Sequence, residues 1–149
     1  MKPFQKVEQR RDNYLLSTDP SKLDRDVVFN FLTHDSYWAR GRSRDVFDRS
    51  IVNSLNFGIY FGNMQIGFAR VVTDRATFGW ICDVFVIPAQ RGKGLASWMI
   101  ESIQQHPDLQ GLRSIFLATR DAHSLYAKFG FKPLEDPSRF MMIRNPTPY

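Results

Sequence analysis

An apolar run, Val84-Phe85-Val86-Ile87, stops at Pro88 and is followed by Gln90-Arg91-Gly92-Lys93-Gly94-Leu95-Ala96. That stretch opens a segment with Leu95, Trp98, Met99 and Ile103 at helical spacing. Strand, glycine-bearing basic turn and helix therefore come in succession. The first turn of a helix presents unpaired N–H groups and a partial positive charge, and both suit an anion. Gly92 and Gly94 carry no Cβ, so their amides can approach a phosphate closely. Arg91 and Lys93 add charge at the rim. A solvated basic turn that only caps a helix is the plain alternative, and the flanking strand and helix weigh against it. Two other phosphate loops are excluded. No Gly-Lys pair precedes Ser or Thr, as a Walker loop requires, and Ser97 stands where a dinucleotide fingerprint needs its third glycine.

The 149 residues suit a single domain spanning 1–149, long enough to bury a core. Apolar content of 43% with 13 Phe argues against disorder. The lone Cys82 cannot form an internal disulfide, and His34, His106 and His123 lack metal-ligand spacing, so no metal site is expected. Residues 1–11 carry five charged side chains and no apolar stretch, which is not a signal peptide. Residues 51–69 are uncharged, but Asn53, Asn56, Asn63, Gln65 and three glycines interrupt them, and Gly62-Asn63 splits them into two short halves. A hairpin explains this segment better than a membrane span. A soluble, cytoplasmic protein is the expectation. Its net charge of +5 fits an anionic ligand, and the dispersed basic residues give no stripe for nucleic acid.

Along the chain, Asn13–Ser17 reads as a first strand, and Asp19 or Ser21 as the cap of a helix through Leu32. Ser43 caps a second helix bearing Val46, Phe47, Ile51 and Leu55. Strands at Phe57–Phe61, Gln65–Val72 and Thr77–Ile87 precede the helix Gly94–Gln105. A strand at Ser114–Ala118, a short helix to Lys128 that Gly130 stops, and a last strand at Phe140–Arg144 complete an α/β order.

Arg91-Gly92-Lys93-Gly94-Leu95-Ala96 resembles the acyl-CoA signature of the GNAT N-acetyltransferase superfamily, Arg/Gln-x-x-Gly-x-Gly/Ala. About thirty residues on, Asp121-Ala122-His123-Ser124-Leu125-Tyr126-Ala127-Lys128-Phe129-Gly130-Phe131 resembles the family's fourth-helix segment, Asn-x-x-Ala-x-x-Leu-Tyr-x-x-x-Gly-Phe. The resemblance covers most of the chain. It implies a central mixed, mostly antiparallel sheet of six to seven strands flanked by about four helices, with the fourth and fifth strands splayed. It also implies acetyl-CoA as co-substrate, with the backbones of Val84, Phe85 and Val86 binding the pantetheine and the turn from Arg91 to Ala96 binding the pyrophosphate. Thr119 stands where the family often has an Asn that contacts the pantetheine, and its hydroxyl can replace that contact.

Acetyl transfer to an amine needs a nucleophile, an aligned thioester and a proton for the departing thiolate. Holding both substrates in one cleft can supply about 7–11 kcal/mol by proximity. The resemblance assigns Tyr126 as the general acid, since a phenol stays protonated at neutral pH. A Tyr on a short amphipathic helix is otherwise a core residue with its hydroxyl at the surface. Asp83 interrupts an apolar strand, and a carboxylate there needs a reason. It is a base, a counter-ion for the amine, or a structural partner of Arg70 or Arg75. His123 and Glu101 are weaker candidates. Trp38 and Arg40 in the Tyr37–Arg42 loop, with Tyr60, Arg70 and Trp80, are the candidate acceptor contacts; aromatic rings plus Arg suit an amine that also carries a carboxylate or a flat ring. The reading is an N-acetyltransferase acting on a primary amine of a small molecule, without nucleic-acid or membrane partners and compatible with a homodimer. A non-catalytic acyl-CoA sensor on the same fold, or an enzyme acting on a protein amine, are the alternatives.

Overall fold

The structure is a computed structural model and describes residues 2–147 and 149. Six strands form one sheet in the order β1-β2-β3-β4-β5-β6: β1 (Glu8–Arg11), β2 (Tyr14–Ser17), β3 (Leu55–Phe61), β4 (Met64–Thr73), β5 (Phe78–Val86) and β6 (Ser114–Leu117). Neighbours are antiparallel except β5 and β6, which run parallel. Four α-helices cover the sheet: α1 (Arg25–Asn30), continued by a π-helical turn over Phe31–Asp35, α2 (Arg44–Val52), α3 (Leu95–Gln105) and α4 (His123–Ala127).

The sheet is apolar on both faces. On one, α3 presents Leu95, Trp98, Met99 and Ile103 to Phe57, Ile59, Val71 and Ile81, and Tyr126 of α4 joins the same cluster. On the other, Val28, Phe31, Phe47 and Ile51 of the first two helices meet Phe68 and Phe85, whose ring stacks on Phe31 at 3.9 Å between centroids. Ser43 caps α2 by accepting from Val46 N, as expected of a hydroxyl at that position.

The expected first strand is in fact the second half of a hairpin. β1 is hard to see in sequence because it consists of Glu-Gln-Arg-Arg; its one inward group, Gln9, accepts from Trp98 Nε1 at 2.8 Å and from Ser102 Oγ at 3.1 Å. Asp19 caps only a 3-10 turn at Pro20–Lys22, and Asp24 caps α1. The last strand expected at Phe140–Arg144 does not form. Phe140 packs on Phe116, while Met141 and Ile143 stand fully in solvent. Strand propensity requires a paired edge, and these residues form no ladder with β6.

The feature that positions the site is where β5 and β6 part. They pair from Phe78 opposite Ser114 to Ile81 opposite Leu117, and Cys82–Val86 continue without β6 alongside. A wedge opens there, with backbone groups of the second half of β5 facing it.

Candidate active site

At one end of the wedge, the chain leaves β5 through a 3-10 turn at Pro88–Gln90 and enters α3. Gly92 and Gly94 are left-handed, with φ of 77° and 76°. In an L-residue that conformation crowds Cβ against the following carbonyl, so glycine is suited there. Gly94 caps α3 without a side chain, which leaves the first amides of the helix free of any internal capping group. A cavity of about 110 Å³ lies over this turn, lined by Val86, Gln90, Arg91, Gly92, Gly94, Leu95, Ala96 and Ser97. A Cβ added at Gly92 or Gly94 would meet nothing within 4 Å, so the space above both is open. Arg91 Nε donates to the Val86 carbonyl at 3.0 Å. Lys93 Nζ donates to Gln90 Oε1 at 3.0 Å, and Tyr14 donates to the same oxygen at 2.6 Å.

Midway along β5 the ladder slips. Phe68 opposes Phe85 and Arg70 opposes Cys82, so β5 holds one residue more than β4 between those pairs. Asp83 sits in this bulge with a φ of 55°, a left-handed conformation that Asp tolerates better than most residues. The slip resets the alternation. Ile81 faces the α3 cluster, and so do Val84 and Val86 beyond it, whereas Phe85 faces the helices on the other side.

Asp83 is buried at 4% exposure, and both of its oxygens are saturated. Oδ2 accepts from Arg42 Nη1 and from Arg70 Nε, each at 2.8 Å; Oδ1 accepts from Trp38 Nε1 at 2.9 Å and Arg42 Nη2 at 3.3 Å. Burial alone pushes the carboxyl up, and the two guanidinium groups overcome it, holding Asp83 below the ordinary carboxylate range. Burial likewise opposes the charge on Arg42, and Asp83 more than restores it. A carboxylate so fully paired is a poor base and has no free oxygen for an ammonium. Of the roles open to Asp83, the geometry favours the structural one with Arg70, and adds Arg42; Arg75 instead stacks on the Phe4 ring at 3.7 Å.

Arg42 is the residue that sequence reasoning missed. Arg40, two positions earlier, looked equivalent, but Arg40 is exposed. Gly41, left-handed at φ 82°, turns the chain so that Arg42 points inward. The loop is fixed by Thr33 Oγ1, which donates to the Arg42 carbonyl at 2.9 Å, and by Ser36 Oγ, which accepts from Ala39 N at 3.0 Å.

A second cavity, of about 650 Å³, opens beside Asp83. Tyr37, Trp38 and Trp80 line it, as do Cys82, Val84, Thr119, Arg120, Tyr126 and Arg144. A third, of about 700 Å³, runs along β6 and α4, and the two share Ala118, Thr119 and Tyr126. Tyr126 thus lies where the spaces meet. Its ring is buried edge-on to Phe131, and burial pushes its hydroxyl up to about 12. That hydroxyl makes no hydrogen bond among the described residues. Thr119 Oγ1 accepts from Ala122 N at 3.0 Å, fixing the turn into α4 and leaving its own hydrogen free to donate.

The remaining candidates divide clearly. Trp38 and Trp80 line the second cavity, each 37% exposed. Arg70 is held by Asp83 and by Ser54 Oγ at 3.0 Å and is not on the cavity wall. Tyr60 is buried in the β3–β4 hairpin, away from the cavities, and Glu101 pairs with Arg11 at 2.9 Å. His123 lines the third cavity. Among the described residues, no group of three or more His, Cys, Asp or Glu is placed to hold a metal ion, and no helix is long and apolar enough to cross a membrane.

Comparison with known proteins gives a consistent picture. Residues 53–133 match the model of a family described as acetyltransferase (GNAT) domain. A proposed acetyltransferase of Gibberella zeae is 31% identical over 140 residues, covering 79% of this chain and 78% of that one. The crystal structure of a proposed GNAT-family acetyltransferase from Xanthomonas campestris superposes with a TM-score of 0.88 at 41% identity, over 92% of this chain and 96% of the other. A GNAT-family acetyltransferase from Elizabethkingia anophelis, solved with acetyl-CoA bound, shares the fold at 14% identity and a TM-score of 0.62, over 84% and 80% of the two chains.

Proposed function

The chain belongs to the GNAT acetyltransferase family, and from that premise we propose that it transfers the acetyl group of acetyl-CoA to a primary amine of a small molecule within a direct ternary complex. The observation that carries this reading is the position of Tyr126, at the junction of a wedge whose other end is a free helix N-terminus. The residues present suit the donor. The uncapped amides of α3, the open space above Gly92 and Gly94, and the rim groups Arg91 and Lys93 are matched to a pyrophosphate. The backbones of Val84, Phe85 and Val86, free of β6, suit the amide groups of a pantetheine arm, and Leu95 and Ala96 begin the helix beside them. When bound, acetyl-CoA supplies the activated thioester.

The amine nitrogen forms a bond to the acetyl carbon, the carbon–sulfur bond breaks, and the sulfur leaves with the electron pair. Tyr126 donates a hydrogen bond to that sulfur. Its pKa of about 12 makes it a weaker acid than the thiol it serves, near 8.5. Tyr126 therefore stabilises the developing charge through that hydrogen bond, and any proton it passes to the sulfur is replaced from solvent in the open cavity. Thr119, beside it, supplies a second hydroxyl. The amine must lose a proton, and among the described groups lining the acceptor cavity none is an unpaired buried base. Water in the open cavity takes that proton, and Asp83 holds Trp38, Arg42 and Arg70 in place.

The test follows thermal stability and amine-dependent thiol release together. CoA raises the melting temperature by mass action, and a panel of amines releases thiol from acetyl-CoA. In Tyr126→Phe, kcat falls by about 10²–10⁴ with acetyl-CoA affinity retained. Rate against pH rises with the free-amine fraction of the acceptor. Stabilisation by CoA with no thiol release from any amine leaves a binding domain; absence of both overturns the reading.

A further inference from the structure

The acceptor cavity, the one beside Asp83, has Arg120 and Arg144 on its wall. Of its carboxylates, Asp83 is saturated by two guanidinium groups and an indole, and Asp121 lies 3.9 Å from Arg120. Arg144 also lines the cavity, and among the described residues no carboxylate lies within 4.0 Å of it. Arg120 is held on the wall, its guanidinium carbon 3.7 Å above the Tyr37 ring. Arg144 is delivered by the C-terminal segment, which is fastened on either side of it. Phe140 packs against Phe116, and the Tyr149 hydroxyl accepts from Arg42 Nε at 3.2 Å with Arg42 above its ring. Three aromatic rings, Tyr37, Trp38 and Trp80, line the same cavity, each more than a third exposed although large apolar surfaces favour burial.

We propose that the acceptor is an amine that also bears a carboxylate, which Arg144 and Arg120 engage, and a flat side chain that rests among Tyr37, Trp38 and Trp80. The inference rests on the transferase reading and names its substrate class. A guanidinium offers a planar fork that matches a carboxylate through paired hydrogen bonds. The acid group gives Arg144 the counter-charge it otherwise lacks among the described residues. Aromatic faces accept a flat ring at modest ordering cost. Both arginines are exposed, so the interaction is screened by salt and its contribution is moderate.

Two of the chain's three tryptophans, Trp38 and Trp80, line this cavity, so their fluorescence reports binding without turnover. Phenylalanine, phenylalaninamide and phenethylamine are titrated in the presence of CoA, against the native protein, Arg144→Gln and Arg120→Gln. The acid binds about three- to tenfold tighter than the amide at low salt, the preference shrinks at high salt, and it is lost in Arg144→Gln. Melting temperatures of the variants match the native value, which separates a lost contact from a lost fold. An amide that binds as tightly as the acid, a preference that survives both substitutions, or no binding of the acid at its solubility limit overturns the inference. Thiol release distinguishes this failure from failure of the transferase reading. Release supported equally by neutral amines sinks the carboxylate requirement and leaves transfer intact; acid-selective binding lost in Arg144→Gln but without release does the reverse.

Discussion

The two ends of the wedge are built by opposite means. At the donor end, consecutive residues do everything: Gly92 and Gly94 turn the chain, α3 begins without a side-chain cap, and the groups offered to a ligand are backbone amides. At the acceptor end the key residues come from separate parts of the chain, residues 37–42, Arg70, residues 80–84, residues 119–126 and Arg144. Asp83 on β5, Arg70 on β4 and Arg42 in a loop are brought together over separations of 13 and 41 residues. The donor end is exposed and made of main chain; the acceptor end rests on a buried network of charges. A backbone site of this kind tolerates changes in its neighbours' side chains, whereas a buried charge network fails when one member is removed.

The largest effect should come from breaking the network. Asp83→Asn leaves Arg42, 7% exposed, without its charge partner, and loss of one member of a buried pair costs about 3–5 kcal/mol. Urea unfolding would read this as a lower midpoint with an unchanged slope. A variant as stable as the native protein would mean that Arg42 finds another partner, and that the acceptor end is not held by charge.

The corresponding change at the donor end is smaller. Gly94→Ala puts a Cβ on a left-handed residue, costing about 1–2 kcal/mol of folding stability, with no steric contact added. An unaffected melting temperature would show that the turn relaxes to another conformation and that its geometry is not fixed.

A pH titration sharpens the contrast further, using a group that belongs to neither end. His106 is buried, with Nε2 facing the Gln5 carbonyl at 3.0 Å and Nδ1 accepting from Asp108 N at 3.1 Å. Burial lowers its pKa below the ordinary 6.5. The unfolded chain then binds more protons than the folded one below about pH 6.5, so stability is full above that value and declines as pH falls toward the folded pKa. Asp83, whose folded pKa is depressed, loses its contribution only as pH falls below the ordinary carboxylate range. Between pH 7 and 5 the decline therefore belongs to His106: His106→Gln flattens it, and Asp83→Asn leaves its slope unchanged. A slope that follows Asp83 instead would mean that the carboxylate is not held ionised.

The same division explains what could be read from sequence. The donor turn, α3 and its apolar face, the Ser43 cap and the three central strands rest on neighbours or on a fixed period, and the sequence displays both. Tyr126 was legible because it sits in a contiguous motif. Asp83 was legible as an anomaly, a carboxylate in an apolar strand, but its partner was not, because Arg40 and Arg42 differ only in what Gly41 does to the chain between them. β1 escaped because its pairing depends on β2 and on one buried Gln rather than on alternation. Phe140–Arg144 reads as a strand from its residue types, and residue type cannot report whether a sheet edge is met.

The donor turn is a backbone site whose binding does not depend on the buried charge network of the acceptor end. Calorimetric titration of acetyl-CoA into the native protein, Gly94→Val and Asp83→Asn, at a temperature where all three are folded, tests it most directly. Native protein and Asp83→Asn should bind with the same affinity, while Gly94→Val, with a branched side chain over the amides of the turn, should lose at least tenfold, or about 1.4 kcal/mol. Equal affinity in Gly94→Val, or a loss in Asp83→Asn as large as in Gly94→Val, would contradict it.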